Sequence, residues 1–230
     1  MYTTKLISLL SLSALISATP TPHLPRRQTP SSGSSQAICY TGASFPDIST
    51  WADFGTLWSD ALASLTNLNS QRESNDLKSA IQTYASSSGL DQRFILSIVM
   101  QESGGFVRKE PNDAGGRSKG LLQINGGHSC AYLPWDGCRT DLISQMVVDG
   151  VQGTGSWPAG AEGLSGCYTA NGNQYNLAAR CYNTGTVPDA SDLSQAGAGT
   201  SSYVSDVGNR LMGIDPLAPG HVNCLGNGAY

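Results

Sequence analysis

What the sequence has least of sets the first limits. Histidine occurs three times in 230 residues, as His23, His128 and His221, and these positions stand in no metal-ligand spacing. No Cys-x-x-Cys pair exists either, so zinc is the weaker reading of the cysteines and no metal or cofactor is expected. Charged residues make up 13% of the chain, with 17 acidic against 13 basic. That balance argues against nucleic acid and anionic membrane as partners, because both select a basic surface. No stretch alternates polar and apolar residues for long enough to build a convincing sheet. Gly153-Thr154-Gly155 is not a phosphate loop, since no strand precedes it and no Lys-Ser/Thr follows. No Asn-x-Ser/Thr sequon occurs, so no N-glycan is expected.

The apolar run Leu6–Ala18 is too short to span a bilayer. With Lys5 before it and Ile16-Ser17-Ala18 at its end, residues 1–18 read as a secretory signal. Residues 19–27 form a Pro-rich tract ending in Arg26-Arg27, which resembles the propeptide site of fungal secreted proteins. Processing there removes Lys5, Arg26 and Arg27 and leaves 10 basic residues against 17 acidic, a net charge of −7. Residues 28–36 are a Ser/Gly/Pro linker with nothing apolar to bury. A single domain over 37–230 is expected, secreted and monomeric. All six cysteines lie in it, and an even count in a secreted chain predicts three disulfides. Cys130–Cys138 would close a short loop, and Cys39 with a later cysteine would tie the two ends together.

Helical spacing dominates the rest, so the fold class is mainly α, with room for a small β-hairpin within Arg108–Gly127. Trp51, Phe54, Leu57 and Trp58 stand at helix-like intervals in an N-terminal wrap, Cys39–Leu68. Ser74–Ser87 is a helix closed by Gly89. Thr140–Asp149, Asn173–Tyr182 and Ser201–Met212 are three more, the last with Tyr203, Val204, Val207 and Leu211 inward. Gly150–Gly166 begins as a loop, and the tail from Asp215 is rich in Pro and Gly.

The most informative helix starts at Asp91, a good N-cap, and carries Phe94, Ile95, Ile98 and Val99 on its apolar stripe. Glu102 follows Ile98 by four residues and Val99 by three, so it lies on or beside that stripe, one turn before Gly104-Gly105. A carboxylate placed there costs stability unless it is paired or titrates high. Gly120-Leu121-Leu122-Gln123-Ile124 comes eighteen residues later, and Ala178-Ala179-Arg180-Cys181-Tyr182-Asn183-Thr184-Gly185 stands far downstream.

In this order the three motifs resemble the lysozyme superfamily, in its goose-type and soluble lytic transglycosylase-like branch. There the pattern runs Glu-Ser-x-x, Gly-Leu-Met-Gln, then Ala-x-x-Tyr-Asn-x-Gly. The likeness covers Asp91–Gly185, with Leu122 where Met is commoner, and the cysteine- and tryptophan-rich start is similar to fungal secreted muramidases. The resemblance implies a disulfide-stapled, lysozyme-like domain with Glu102 as general acid. Glycosidic oxygen leaves badly unless it is protonated, and a carboxyl held against Ile98 and Val99 can keep its proton.

It further implies Asp113 as the carboxylate that positions water, with Asp136 and Glu110 as alternatives. Such a pair would stand roughly 6.5–9.5 Å apart and invert the anomeric centre. A second family position, two residues after the Gln, carries Asn125 here instead of Asp. Gln123 and Tyr182 carry over as cleft residues, Gln123 on an acetamido sugar and Tyr182 with its hydroxyl near Glu102. Asn183 would bond backbone across the cleft floor, and Ser103 and Asn125 complete the substrate-binding set. Tyr132, Trp135 and Trp157 stand in loops where they would stack on sugars or cover the core; His128 has no catalytic part. The expected partner is a polysaccharide, peptidoglycan or a related N-acetylhexosamine polymer. Chitin or mannan hydrolysis, lytic transglycosylation and non-enzymatic sugar binding are the other readings.

Overall fold

Asp91 and Gly104 bracket the helix on which the others pack. The Asp91 carboxylate accepts the Arg93 N–H at 2.8 Å, starting α3 (Gln92–Ser103), and Gly104 ends it in the left-handed region at φ 60°. Phe94, Ile95, Leu96, Ile98 and Val99 keep at most 2% of their surface. A helix buried on more than one side is a core helix, and each such side chain contributes roughly 1.5–3 kcal/mol by burial.

In this computed structural model the described residues are 37–113, 115–155, 160–217 and 224. The predicted signal, propeptide and linker, and Trp157, lie outside them. Among the described residues the chain is mainly helical: α1 (Phe54–Leu68), α2 (Gln71–Ser88), α3, α4 (Thr140–Gln152), α5 (Leu164–Ala170), α6 (Tyr175–Thr184) and α7 (Tyr203–Leu211). Helix α3 packs against α1, α2 and α7, while α2 lies on α4 and α6 on both α5 and α7. No described helix is long and apolar enough to cross a membrane. Three disulfides staple the chain, Cys39–Cys224, Cys130–Cys138 and Cys167–Cys181.

The hairpin is short. Strand β1 (Ser118–Lys119) runs antiparallel to β2 (Ile124–Asn125), with Ser118 opposite Asn125 and Lys119 opposite Ile124. Leu121 and Leu122 in its turn are fully buried and nail it to the core. Gly120 sits at φ 73°, and the His128 carbonyl oxygen occupies the place a Cβ would take. Only glycine meets both demands.

Helices α6 and α7 fall within two residues of the sequence reading, and three boundaries differ by more. Helix α2 starts at Gln71 because Ser70 and Glu73 form a capping box: Ser70 Oγ accepts the Glu73 N–H at 3.1 Å, and Glu73 Oε2 accepts the Ser70 N–H at 2.9 Å. Helix α4 runs through Gly150 to Gln152. A Cβ there would stand 2.5 Å from that of Leu122, so this glycine serves close packing instead of helix termination. Helix α5 begins inside the stretch read as loop. It is only seven residues long, and buried Leu164 together with the disulfide from Cys167 to α6 hold it where local propensity alone would not.

Glu73 does more than cap. Its Oε1 also accepts from Arg108 Nη1 at 2.5 Å and from the Cys138 N–H at 3.1 Å. Burial pushes the Glu73 carboxyl up, yet these hydrogen bonds outweigh it and hold the group below its ordinary value. One fully buried carboxylate thereby joins the start of α2, the loop after α3 and the Cys130–Cys138 loop.

Candidate active site

The three motifs meet at one cleft of about 1090 Å³. Its walls are the end of α3, the hairpin, Gln152 and Gly155 with residues 160–162, the end of α6 with Thr186, and residues 198–200. Glu102 reaches it from the last turn of α3, half-buried. Its Oε1 accepts a hydrogen bond from the Tyr203 hydroxyl at 2.5 Å, across from α7. Burial raises the Glu102 pKa from 4.5 to about 7, and the Tyr203 hydrogen bond, which favours the carboxylate, offsets only part of that rise. The phenols of Tyr203 and Tyr182 are pushed well above 10, chiefly by burial and next by the Glu102 charge. Both therefore remain donors. The result is a protonated carboxyl at mildly acid pH, gripped by a phenol and facing an open groove.

Tyr203 is an addition to the sequence reading, which placed the Tyr182 hydroxyl near Glu102 and left Tyr203 as core: the Glu102 charge acts on both phenols, and the hydrogen bond comes from Tyr203. Tyr182 lines the cleft, but its hydroxyl donates to the Leu122 carbonyl at 2.8 Å and so pins the hairpin turn to α6. No local pattern marks Tyr203, since 101 residues separate it from its partner.

The remaining predicted residues divide. Gln123 lines the cleft in a left-handed conformation at φ 44°. Its amide is occupied by the hairpin, accepting the Asn112 N–H at 3.1 Å and donating to the Gly120 carbonyl at 2.9 Å. Asn183 Oδ1 accepts from Arg180 at 2.8 Å and from the Thr200 N–H at 2.9 Å, joining two walls. Asn125 lines the cleft and donates through Nδ2 to the Gly160 carbonyl at 2.9 Å. Ser103 does not reach the cleft. It is buried, donating to the Val99 carbonyl at 3.0 Å and accepting the Gly105 N–H at 3.1 Å, so it finishes the helix.

Asp113 is likewise placed elsewhere. Its carboxylate accepts the N–H groups of Gly115, Arg117 and Ser118 at 2.7–3.2 Å, which lowers its pKa, and it is not among the described residues lining the cleft. It builds the turn that leads into β1. Asp136 is bound to Ser70 and Arg72, outside the cleft, and Glu110 is exposed outside it too. Tyr132 and Trp135 stand exposed on the Cys130–Cys138 loop, with the Arg108 guanidinium 5.4 Å from the Trp135 ring, and neither lines the cleft. His128 Nδ1 pairs with Asp149 at 2.7 Å and ties the segment after the hairpin to α4.

The second carboxylate in the cleft is Glu162, which carries no sequence motif and sits beside glycines. Its oxygen and the sulfurs of Cys167 and Cys181 lie within 4.8 Å of one another. Those sulfurs are joined as a disulfide and offer no thiolate to a metal.

Loss of the Tyr203 hydroxyl should have a defined electrostatic effect. Tyr203→Phe removes the donor that favours ionised Glu102, so the Glu102 titration should move above its value of about 7. A 13C NMR titration of the labelled side-chain carboxyl reads this without any substrate. A midpoint unchanged or lowered in the variant would contradict it.

Comparison with protein-family models, with curated proteins and with solved structures returned no significant match.

Proposed function

We propose that this protein is a secreted glycoside hydrolase of the lysozyme type, cleaving the β-1,4 bonds of bacterial peptidoglycan with Glu102 as general acid. The observation that carries the reading is one carboxyl, raised to about 7 by burial and held by a phenol, in the wall of an open cleft of about 1090 Å³. Proton donation to a leaving glycosidic oxygen asks for such a group, because the donor must keep its proton near the working pH and still release it. The lining suits sugar. Asn125 and Asn183 line the cleft with amides, and Thr186 and Thr200 with hydroxyls, the groups that exchange hydrogen bonds with acetamido and hydroxyl substituents. Three disulfides accord with an oxidising compartment and hence with secretion.

A second reading, hydrolysis of a neutral polymer such as chitin, is favoured by a specific feature. The described lining residues include two acids and no Lys or Arg, which suits an uncharged chain better than an anionic wall. Clearing of Gram-positive cell walls and release of chitooligosaccharides, assayed side by side at pH 4–8, separates the two. Activity on the walls that vanishes in Glu102→Gln supports the muramidase. Cleavage of neither polymer, by protein with its disulfides intact, removes the proposal.

A further inference from the structure

We propose that Glu162 is the carboxylate that activates the attacking water in this cleft. The inference rests on the glycosidase reading of Glu102 and supplies the partner that Asp113 does not.

Glu102 and Glu162 are the two acidic residues among the described lining. Their surroundings differ in kind: one is held inside against α7, the other is exposed to the solvent that fills the groove. Two carboxyls in unlike environments sharing a cleft divide naturally into a donor and an acceptor of protons.

The backbone around Glu162 is fixed in place. Glu162 pairs with Gly153 in an antiparallel bridge, and the Thr154 N–H donates to the Ala161 carbonyl at 2.9 Å. Thr154 Oγ1 accepts the Ala161 N–H at 2.9 Å and donates to the Asn125 carbonyl at 2.5 Å. Asn125 adds its amide bond to Gly160. Strand β2 thus holds the segment that carries Glu162. An Asp at position 125 has no proton to give the Gly160 carbonyl when ionised, so the amide there and the acid at 162 belong to one arrangement. The side chain has room of its own as well. A Cβ on Gly166 would stand 2.5 Å from Glu162 Cγ and Oε1, so any larger residue would displace the carboxylate. The Cys167–Cys181 disulfide bounds it on the α5–α6 side.

In the step this assigns, Glu102 gives its proton to the glycosidic oxygen as the bond from that oxygen to the anomeric carbon breaks. The oxygen of a water molecule forms the new bond to that carbon, and Glu162 takes the water's proton. Exchange with solvent then removes the proton from Glu162 and restores it to Glu102.

The test compares wild type, Glu102→Gln, Glu162→Gln and Glu162→Ala on purified cell walls and on chitooligosaccharides, with circular dichroism to verify folding. Glu162→Gln should lower kcat by about 10²–10⁴, the usual range for a positioned acid or base, with KM nearly unchanged. Sodium azide should restore turnover of Glu162→Ala by supplying a nucleophile that needs no base, with a glycosyl azide as product. Glu162→Gln within about threefold of wild-type kcat while Glu102→Gln is inactive would overturn this inference alone. So would a 1,6-anhydro product from wild type, since that reaction uses no attacking water. Full activity in Glu102→Gln, or an inactive wild type, would overturn the glycosidase reading and this inference with it.

Discussion

Glu102→Gln is expected to lose nearly all turnover while folding normally. The amide keeps the shape of the carboxyl and an oxygen for the Tyr203 hydroxyl, now 2.5 Å from Oε1, so packing at the end of α3 should survive. What disappears is the transferable proton, worth about 10²–10⁴ in rate at a positioned acid. A second signature accompanies it. Wild-type activity should fall as pH rises through about 7, because the donor must be protonated. Stability should move as well. Glu102 titrates near 4.5 when unfolded and near 7 when folded, so folding retains a proton between those values. Below pH 4.5 the group is neutral in both states. Stability then declines as pH rises to 7, reaching a deficit of about 2–3 kcal/mol after allowance for the side open to the cleft. Glu102→Gln lacks this deficit. It should melt with wild type at pH 4 and above wild type at pH 8, as measured by calorimetry. Equal melting temperatures at both pH values would show that Glu102 is not strained in its charged form.

Arg108→Ala should be strongly destabilising. Glu73 has no exposed surface, and Arg108 is its cationic partner, donating also to the Leu68 carbonyl at 3.0 Å. Truncating the arginine leaves a buried carboxylate with two backbone N–H donors, Ser70 and Cys138, and no countercharge. Breaking such a pair from one side typically costs about 3–5 kcal/mol, whereas replacing both partners can be nearly neutral. Urea denaturation should therefore show a large drop in midpoint for Arg108→Ala. Much of it should return in the double variant Glu73→Gln, Arg108→Met. A drop below about 1 kcal/mol in the single variant would mean that water reaches Glu73.

The legible parts of the sequence were those set by neighbours along the chain. Asp91 and Gly104 mark both ends of α3 because capping is decided within a turn, and Glu102 falls beside the apolar stripe by spacing alone. The Tyr203 contact depends on how α7 crosses α3, which no local spacing encodes. Asp113 shows the opposite failure. An Asp in a Gly-rich loop satisfies the pattern of a water-positioning acid and of an Asx turn equally well, and the direction of three backbone N–H groups decides for the turn. Glu162 was hidden for a related reason: its place in the cleft comes from the Gly153 bridge and the Asn125 amide, which join segments 35 residues apart at Gly160. Ser70-x-x-Glu73 was readable as a capping box, but the buried ion pair at Arg108 was not, since it needs the tertiary fold to exclude water from Glu73.

The bond between Cys39 and Cys224 spans 185 positions and turns almost the whole folded chain into a closed ring. A protease cutting once at a surface loop inside that ring opens a gap without releasing a fragment. The two pieces stay tethered and keep their packed helices in register. Nicked protein should run as one band on a denaturing gel until reductant is added.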